Sequence, residues 1–234
     1  ETIPFVLASA RSPKGMAPIA KELGIEDCPI ACYNGALIQK GEQVLFEHPV
    51  NKTEARNFID WVNQHFPQVS INLYSGKDWM TDRLDQWSQE EARITGEKPL
   101  ILPLLDPLLD ATKPLHKLLL IGEAEEIQAL YRTISADDFP STAFYLSKAN
   151  YLEVTAKHVS KEDALVELAN HYHLCLEEVL TMGDNFNDLP MLKKAGIGVA
   201  MGNAPQEVKD GAAIVTKTNN ENGAGQAVET YVLI

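Results

Sequence analysis

The chain has 234 residues, 45% hydrophobic and 23% charged, a balance ordinary for a soluble globular protein of one large domain or two modest ones. Its formal net charge of −13 speaks against nucleic acid or an anionic membrane surface as a partner, since both reward clustered Lys and Arg. A phosphorylated substrate stays open, because a bound divalent cation reverses the sign of the local field.

Cys28, Cys32 and Cys175 are odd in number and contain no Cys-x-x-Cys pair, so no disulfide framework is expected and a reducing cytoplasm is the simpler setting. No stretch resembles a signal peptide or a membrane span; the apolar run Pro99 to Leu109 is broken by Pro103, Asp106 and Pro107.

Along the chain, Phe5 to Ala8 reads as a buried parallel strand running into the loop Ser9 to Pro13. A helix from about Gly15 to Leu23 is stopped by Gly24. A short strand from Pro29 to Tyr33 precedes the turn pair Asn34-Gly35, and Ala36 to Ile38 and Val44 to Phe46 form a hairpin through Lys40-Gly41-Glu42.

The character then changes. Thr53 begins a helix with Phe58, Ile59 and Val62 at helical spacing, and Val69 to Tyr74 alternates like a strand. A polar segment bearing Trp79 and Trp87 follows, then a strand (Leu115 to Ile121), a helix (Glu123 to Ile134) and two strands (Ala143 to Leu146, Tyr151 to Val154). The mixture suggests an α+β domain inserted into another fold.

From Ser160 the alternation is regular: helix (Ser160 to Tyr172), strand (Val179 to Met182), helix (Leu189 to Ala195), strand (Gly198 to Ala200), helix, strand (Ala213 to Val215). That order predicts a parallel sheet flanked by helices. The expected organisation is an α/β core made of residues 1–48 and 151–234, with an α+β cap at 49–150.

Three segments carry candidate chemistry. Gly183-Asp-Asn-Phe-Asn-Asp188 follows a strand directly, where open α/β sheets bind ligands. Gly183 is expected to allow a sharp turn, Asp184 offers a hard oxygen of the kind magnesium selects, and Asn187 and Asp188 stand where side chains cap a helix. Lys161 follows Ser160 in the capping pattern Ser160-x-x-Asp163, at a helix start whose dipole disfavours a cation unless an anion lies near. Ser9 and the Ala10 amide close a strand and together suit one phosphate oxygen. Taken singly, each has a plainer explanation: an Asx-capped loop, a solvated lysine, a turn serine.

Taken in chain order, strand and Ser9, inserted cap, helix and Lys161, strand and Gly183 to Asp188, they resemble the haloacid dehalogenase superfamily, specifically its Cof-type sugar-phosphatase branch. The resemblance runs from Phe5-Val-Leu-Ala-Ser-Ala-Arg11 through Asn34-Gly-Ala36, Tyr151-Leu-Glu-Val154, Ser160-Lys161 and Gly183 to Pro190. It continues through Gly198-Val-Ala-Met-Gly-Asn-Ala204 to Asn222-Gly223. It implies a Rossmann-like α/β core and a magnesium-dependent phosphatase acting on small phosphorylated metabolites. In that reading Ser9 and Ala10 hold the phosphoryl group, Lys161 neutralises charge, Asp184 binds Mg2+, Asn187 contacts phosphate and Asp188 supports Lys161. Ser9-Ala10-Arg11 departs from the family's usual Thr-Gly-Arg; Ser9 keeps the hydroxyl, and Ala10 adds a methyl.

The family's Asp-x-Asp-Gly-Thr motif, which supplies the nucleophile and the acid/base, does not occur in the sequence. Asp82, Asp85, Asp137 and Asp138 lack its context. The expectation is a further strand, loop and helix of about 25–30 residues before Glu1. A phosphate-binding pseudoenzyme and a phosphosugar mutase on the same core are the alternatives.

His171 and His173, two apart on a predicted helix, make a poor metal pair. Trp79 and Trp87 are expected in the cap's own core, and Cys28 and Cys32 as small buried hydrophobes. No pattern in the chain encodes the choice of substrate or an oligomeric state.

Overall fold

The computed structural model describes residues 3–233, so Glu1, Thr2 and Ile234, at the ends of the expected core segments, lie outside it. The chain divides into two compact units, the first ending at Val159 and the second beginning at Ser160. No helix among the described residues is long and apolar enough to cross a membrane.

In the first unit, strand β1 (Leu7–Ala8) leads into helix α1 (Pro13–Leu23) and back to β2 (Ile30–Cys32), which it joins in parallel. The predicted buried strand is shorter and less covered than expected, with Phe5 41% exposed. Among the described residues β1 is bonded along one edge only, by β2. The ladder therefore extends no further than Leu7 opposite Ile30 and Ala8 opposite Ala31.

Helix α1 starts two residues before the predicted Gly15 because Ser12 caps it. Its Oγ accepts the Gly15 N–H at 2.9 Å, and Pro13 stands at a first-turn position where a missing N–H costs nothing. Gly24 ends it in the left-handed region, φ 67°. A tight turn at Tyr33–Gly35 then enters the hairpin of β3 (Leu37–Lys40) and β4 (Gln43–Glu47), completing the sheet β1-β2-β3-β4.

Next come α2 (Lys52–His65), β5 (Ser70–Ser75), β6 (Asp78–Thr81), α3 (Gln86–Thr95), β7 (Leu100–Ile101), α4 (Leu105–Leu109), β8 (Lys117–Ile121), α5 (Ala124–Thr133), β9 (Thr142–Lys148) and β10 (Tyr151–Ala156). Their six strands form one sheet, β7-β6-β5-β8-β10-β9, antiparallel except between β6 and β7. Both faces of β8 are covered. Leu118 and Leu120 pack with Phe58, Ile59 and Val62 of α2 and Ile127 and Leu130 of α5, while Leu119 and Ile121 pack with Met16, Tyr33 and Leu37. Each fully buried side chain of this kind contributes about 1.5–3 kcal/mol.

Helix α3 falls in the polar segment where no element was predicted. Asp85 nucleates it, accepting the Trp87 and Ser88 N–H groups at 3.0 and 2.9 Å while the Ser88 hydroxyl accepts the Asp85 N–H. Burial pushes the Asp85 carboxyl up, but hydrogen bonds from Ser88, Ser70 and Arg83 outweigh it and hold the group below its ordinary value. Trp79 is buried, stacked on Tyr74 and donating to Asn72 Oδ1 at 2.9 Å, and Trp87 packs partly buried on the same cluster. That cluster also holds Met16, Tyr33 and Leu37, so the two pack with the 1–48 segment and not, as expected from sequence, in the cap's own core. Cys32 is buried, its thiol pushed up to about 12 by desolvation, whereas Cys28 is only half-buried and Cys175 is exposed.

The second unit runs α6 (Lys161–His171), β11 (Leu180–Gly183), α7 (Leu189–Lys194), β12 (Ile197–Ala200), α8 (Gln206–Gly211), β13 (Ile214–Val215) and α9 (Gly223–Tyr231). Its sheet, β11-β12-β13, is parallel throughout. The parallel strands expected from sequence thus belong to two sheets, one in each unit. Helix α6 stops at His171 and His173 sits outside it at φ 56°, so the two histidines do not share a helix. Gly198 is required by packing, since a Cβ there would lie 1.9 Å from the Leu192 carbonyl oxygen.

Candidate active site

In the second unit, β11 ends at Gly183 and the loop from Asp184 to Asp188 lies beyond its carboxyl end. Asp188 is 2% exposed. Its Oδ2 accepts the Asp184 and Asn185 N–H groups, each at 2.9 Å, and its Oδ1 pairs with Lys161 Nζ. Asp188 therefore does not cap α7 with its side chain, as its position suggested; it ties down the loop behind it. Helix α7 has less need of the cap, because Pro190 in its first turn has no N–H to satisfy. Gly183 likewise acts by space rather than by a left-handed turn. A Cβ on it would lie 2.4 Å from Asp188 Cβ.

Lys161 is the first residue of α6. Ser160 Oγ caps that helix, accepting the Asp163 N–H at 3.0 Å and donating to Asp163 Oδ2 at 2.5 Å. The cation that the helix dipole disfavours is met by Asp188, with side-chain exposures of 11% and 3% for the pair. A pair buried to this degree is expensive to break from one side only.

Asp184 is exposed. Its Oδ2 accepts from Asn203 Nδ2 at 3.0 Å, and Asn203 Oδ1 in turn accepts the Asn219 N–H at 3.0 Å. Asn203 thus orients the carboxylate, a role sequence reading did not give it although Met201-Gly-Asn-Ala204 stood among the family-like segments. Asp184 Oδ1 has no hydrogen bond among the described residues. No group of three His, Cys, Asp or Glu among them could hold a metal. One fixed and one open carboxylate oxygen nonetheless fits Mg2+, which binds through one or two carboxylates and keeps several waters. Asn187 is exposed in the same loop.

In the first unit, the loop after β1 is held by the Ser9 N–H, which donates to Ala31 O at 2.9 Å, and by three successive carbonyls. Ser9 O accepts the Asn34 N–H at 2.8 Å, Ala10 O accepts from Lys117 Nζ at 3.2 Å and Arg11 O accepts the Tyr33 N–H at 3.1 Å. Ser9 Oγ accepts the Arg11 N–H at 3.2 Å, which leaves its own proton to donate. The Ala10 N–H has no partner among the described residues. Of the residues that surround this loop, Asn34 and Glu153 stood in family-like segments without being given a role, while Lys117 and Tyr145 stood in none.

Neighbouring His116 is 1% exposed and stacks on Tyr33, ring centroids 5.8 Å apart. Its Nδ1 accepts the Gly76 N–H at 3.0 Å and its Nε2 faces Glu47 Oε1 at 3.2 Å. Burial lowers its pKa from the ordinary 6.5, against the raising influence of Glu47. Of the carboxylates set aside as nucleophiles, Asp85 is the α3 cap, and Asp137 and Asp138 lie in a single 3-10 turn.

Comparison with known proteins agrees with these features. A family model described as haloacid dehalogenase-like hydrolase matches residues 1–228. The chain is 35% identical over 228 residues to a Haemophilus influenzae protein named "Putative phosphatase", covering 97% of this chain and 84% of that one. It is 27% identical over 252 residues to "Phosphatase YwpJ" of Bacillus subtilis, covering 97% and 87%. The solved structure of a haloacid dehalogenase-like hydrolase from Bacteroides thetaiotaomicron superposes with a TM-score of 0.87 at 31% identity, covering 97% of this chain and 86% of that one. The chain belongs to the haloacid dehalogenase-like hydrolase family.

Proposed function

We propose that the protein is a magnesium-dependent phosphatase that hydrolyses small phosphorylated metabolites, sugar phosphates among them, in the cytoplasm. The observation that carries this reading is the loop beyond β11, where exposed Asp184 stands oriented by Asn203 beside the buried Lys161–Asp188 pair. The phosphatase names of its relatives support it.

In this reading Asp184 holds Mg2+, which when bound supplies a Lewis acid for the phosphoryl oxygens. Lys161 offsets the charge of the phosphoryl group, and Asp188 keeps that ammonium in one position. Ser9 donates its hydroxyl proton and Ala10 its amide N–H to phosphoryl oxygens, and the Asn187 amide adds a further donor. Within the second unit Lys161 is held by Asp188 and Asp184 by Asn203 before any substrate arrives, so their stabilisation of developing charge costs little reorganisation. The reaction proceeds through an aspartyl phosphate on the family's first-motif aspartate, which is not among residues 1–234. In this reading residues 49–150 are a cap and 1–48 with 151–234 the core, except that β10 (Tyr151–Ala156) pairs with β8 and β9 and so belongs to the cap's sheet.

The test is Asp184→Ala in the protein carrying the first-motif aspartate. Hydrolysis of p-nitrophenyl phosphate should lose its magnesium dependence and fall to background, with the circular dichroism spectrum and Tm retained. Full magnesium-dependent activity in that variant would overturn the metal assignment.

A further inference from the structure

Lys117 is a charged residue in an otherwise apolar strand, and it is 6% exposed. It is paired with Glu153, 5% exposed, at 3.3 Å. Its ammonium also lies over two aromatic faces, 5.5 Å from the Tyr33 ring centroid and 4.8 Å from that of Tyr74. A remaining proton reaches the Ala10 carbonyl at 3.2 Å. A buried pair of this kind is weak evidence for stability, because apolar residues of similar volume often do as well. Its placement therefore calls for another reason.

The chain of contacts continues from Glu153. Its Oε2 accepts from the Tyr145 hydroxyl at 3.2 Å, and that hydroxyl accepts from Asn34 Nδ2 at 2.8 Å. Burial, reinforced by Glu153, pushes the Tyr145 phenol well above its ordinary pKa, so it stays a donor. Asn34 then closes the circuit with its own N–H on Ser9 O at 2.8 Å. Starting at Ala10 O, the path through Lys117, Glu153, Tyr145 and Asn34 returns to the adjacent carbonyl of the same loop.

The turn that delivers this contact is strained. Tyr33 and Asn34 are consecutive non-glycine residues in the left-handed region, at φ 54° and 58°. Such residues cost about 1–3 kcal/mol each and persist only where their surroundings over-determine them. Tyr33 is over-determined: it is fully buried, its hydroxyl donates to Gly76 O at 2.9 Å, and its ring stacks on His116. The strain places two successive N–H groups, of Tyr33 and Asn34, on the carbonyls of Arg11 and Ser9. Lys117 takes the one between them. With three successive carbonyls engaged, rotation of the loop's peptide planes is opposed and the Ala10 N–H is held in one orientation, while the Arg11 N–H at 3.2 Å holds Ser9 Oγ.

We infer that Lys117 and Glu153, acting through Tyr145 and the left-handed Tyr33–Asn34 turn, are positioning residues that hold the Ser9–Arg11 loop in its anion-binding form. The inference rests on the proposed role of that loop in gripping phosphate. Neither residue touches the phosphoryl group; they act on the loop's carbonyls so that its donors face the other way.

The experiment compares the wild-type protein with Lys117→Met/Glu153→Leu, which removes both charges together and leaves no buried ion unpaired, and with Lys117→Arg, which keeps a cation able to reach Ala10 O and Glu153. Inorganic phosphate is titrated calorimetrically, Tm is measured, and amide hydrogen exchange is followed at Tyr33 and Asn34. The double variant should keep its Tm within a few degrees, exchange faster at Tyr33 and Asn34, and bind phosphate roughly 10- to 100-fold more weakly. Lys117→Arg should recover most of that loss. A double variant with unchanged exchange and unchanged phosphate affinity overturns the inference. A wild-type protein that takes no phosphate overturns the phosphate-binding reading first and this inference with it, an outcome distinct from the former because the wild type itself is silent.

Discussion

The carboxylate of Asp188 fills the space that a side chain on Gly183 would need, with Asp188 Cβ 2.4 Å from where a Cβ on Gly183 would stand. A strand end and the residue that precedes a helix, five positions later, are thereby locked face to face, and the carboxylate is held there by two N–H groups and one ammonium.

Gly183→Ala should therefore expel Asp188 from its place. The overpacking is expected to cost about 1–3 kcal/mol in a urea melt. Phosphatase activity should fall with it, since the Asp184 loop and Lys161 lose their common anchor. An alanine variant with wild-type stability and activity would show that the loop tolerates another arrangement.

Lys161→Met leaves Asp188 charged and buried without its cation, and about 3–5 kcal/mol of stability should be lost. Adding Asp188→Asn should restore much of it, because an amide oxygen still accepts the Asp184 and Asn185 N–H groups. Both variants should be inactive. A thermal-shift series set beside a phosphatase assay separates the two effects, and equal Tm values for the single and double variants would count against the pairing.

Asn203→Leu removes the donor that fixes Asp184 Oδ2 and leaves the carboxylate itself in place. Magnesium affinity measured by calorimetry should drop roughly 10- to 100-fold, the usual effect of losing a partner behind a metal ligand. The Asn219 N–H loses its acceptor as well, so a small decrease in Tm accompanies the change. Unaltered magnesium affinity would remove Asn203 from the site.

His116 supplies a pH dependence. Its folded pKa lies below the unfolded value of 6.5, so the unfolded chain binds the proton more readily. The stability it contributes is fully present above pH 6.5 and is lost as pH falls from there through the folded value. Protonation would place a donor on Nδ1 against the Gly76 N–H, although Glu47 at Nε2 partly compensates. His116→Asn should flatten the difference in Tm between pH 7.5 and 5.5 relative to wild type. An identical slope in both proteins would assign the dependence to other groups.

The regular half of the fold was legible because its signals are local. Buried parallel strands read as short apolar runs, and Ser160 and Gly24 mark a helix start and a helix end by their own chemistry. Helix α3 was missed because its sequence, Gln86 to Thr95, is mostly polar with Ile94 exposed; the usable signal was Asp85 three residues before Ser88. Helix α9 also falls where no element was predicted. Within the site, the family resemblance joined Asp188 to Lys161, as the structure has it, while the local reading of Asp188 as a cap on α7 missed its bonds back to Asp184 and Asn185. The Lys117 circuit was invisible for a different reason. Its contacts join residues 107 and 111 positions apart, so no window of sequence contains both ends.

Strand β8, Lys-Leu-Leu-Leu-Ile, has apolar neighbours on both faces. Sliding it by one position against β5 and β10 would exchange Leu118 and Leu120 for Leu119 and Ile121 and bury nearly the same apolar surface. Hydrophobicity alone thus barely distinguishes the native pairing from its misaligned neighbours. Lys117 does, because a slipped strand would carry its ammonium to the Phe58 and Leu130 side, away from Glu153 and the Ala10 carbonyl. One polar residue in an apolar central strand thus adds to the preference for a single alignment, at the cost of burying a charge.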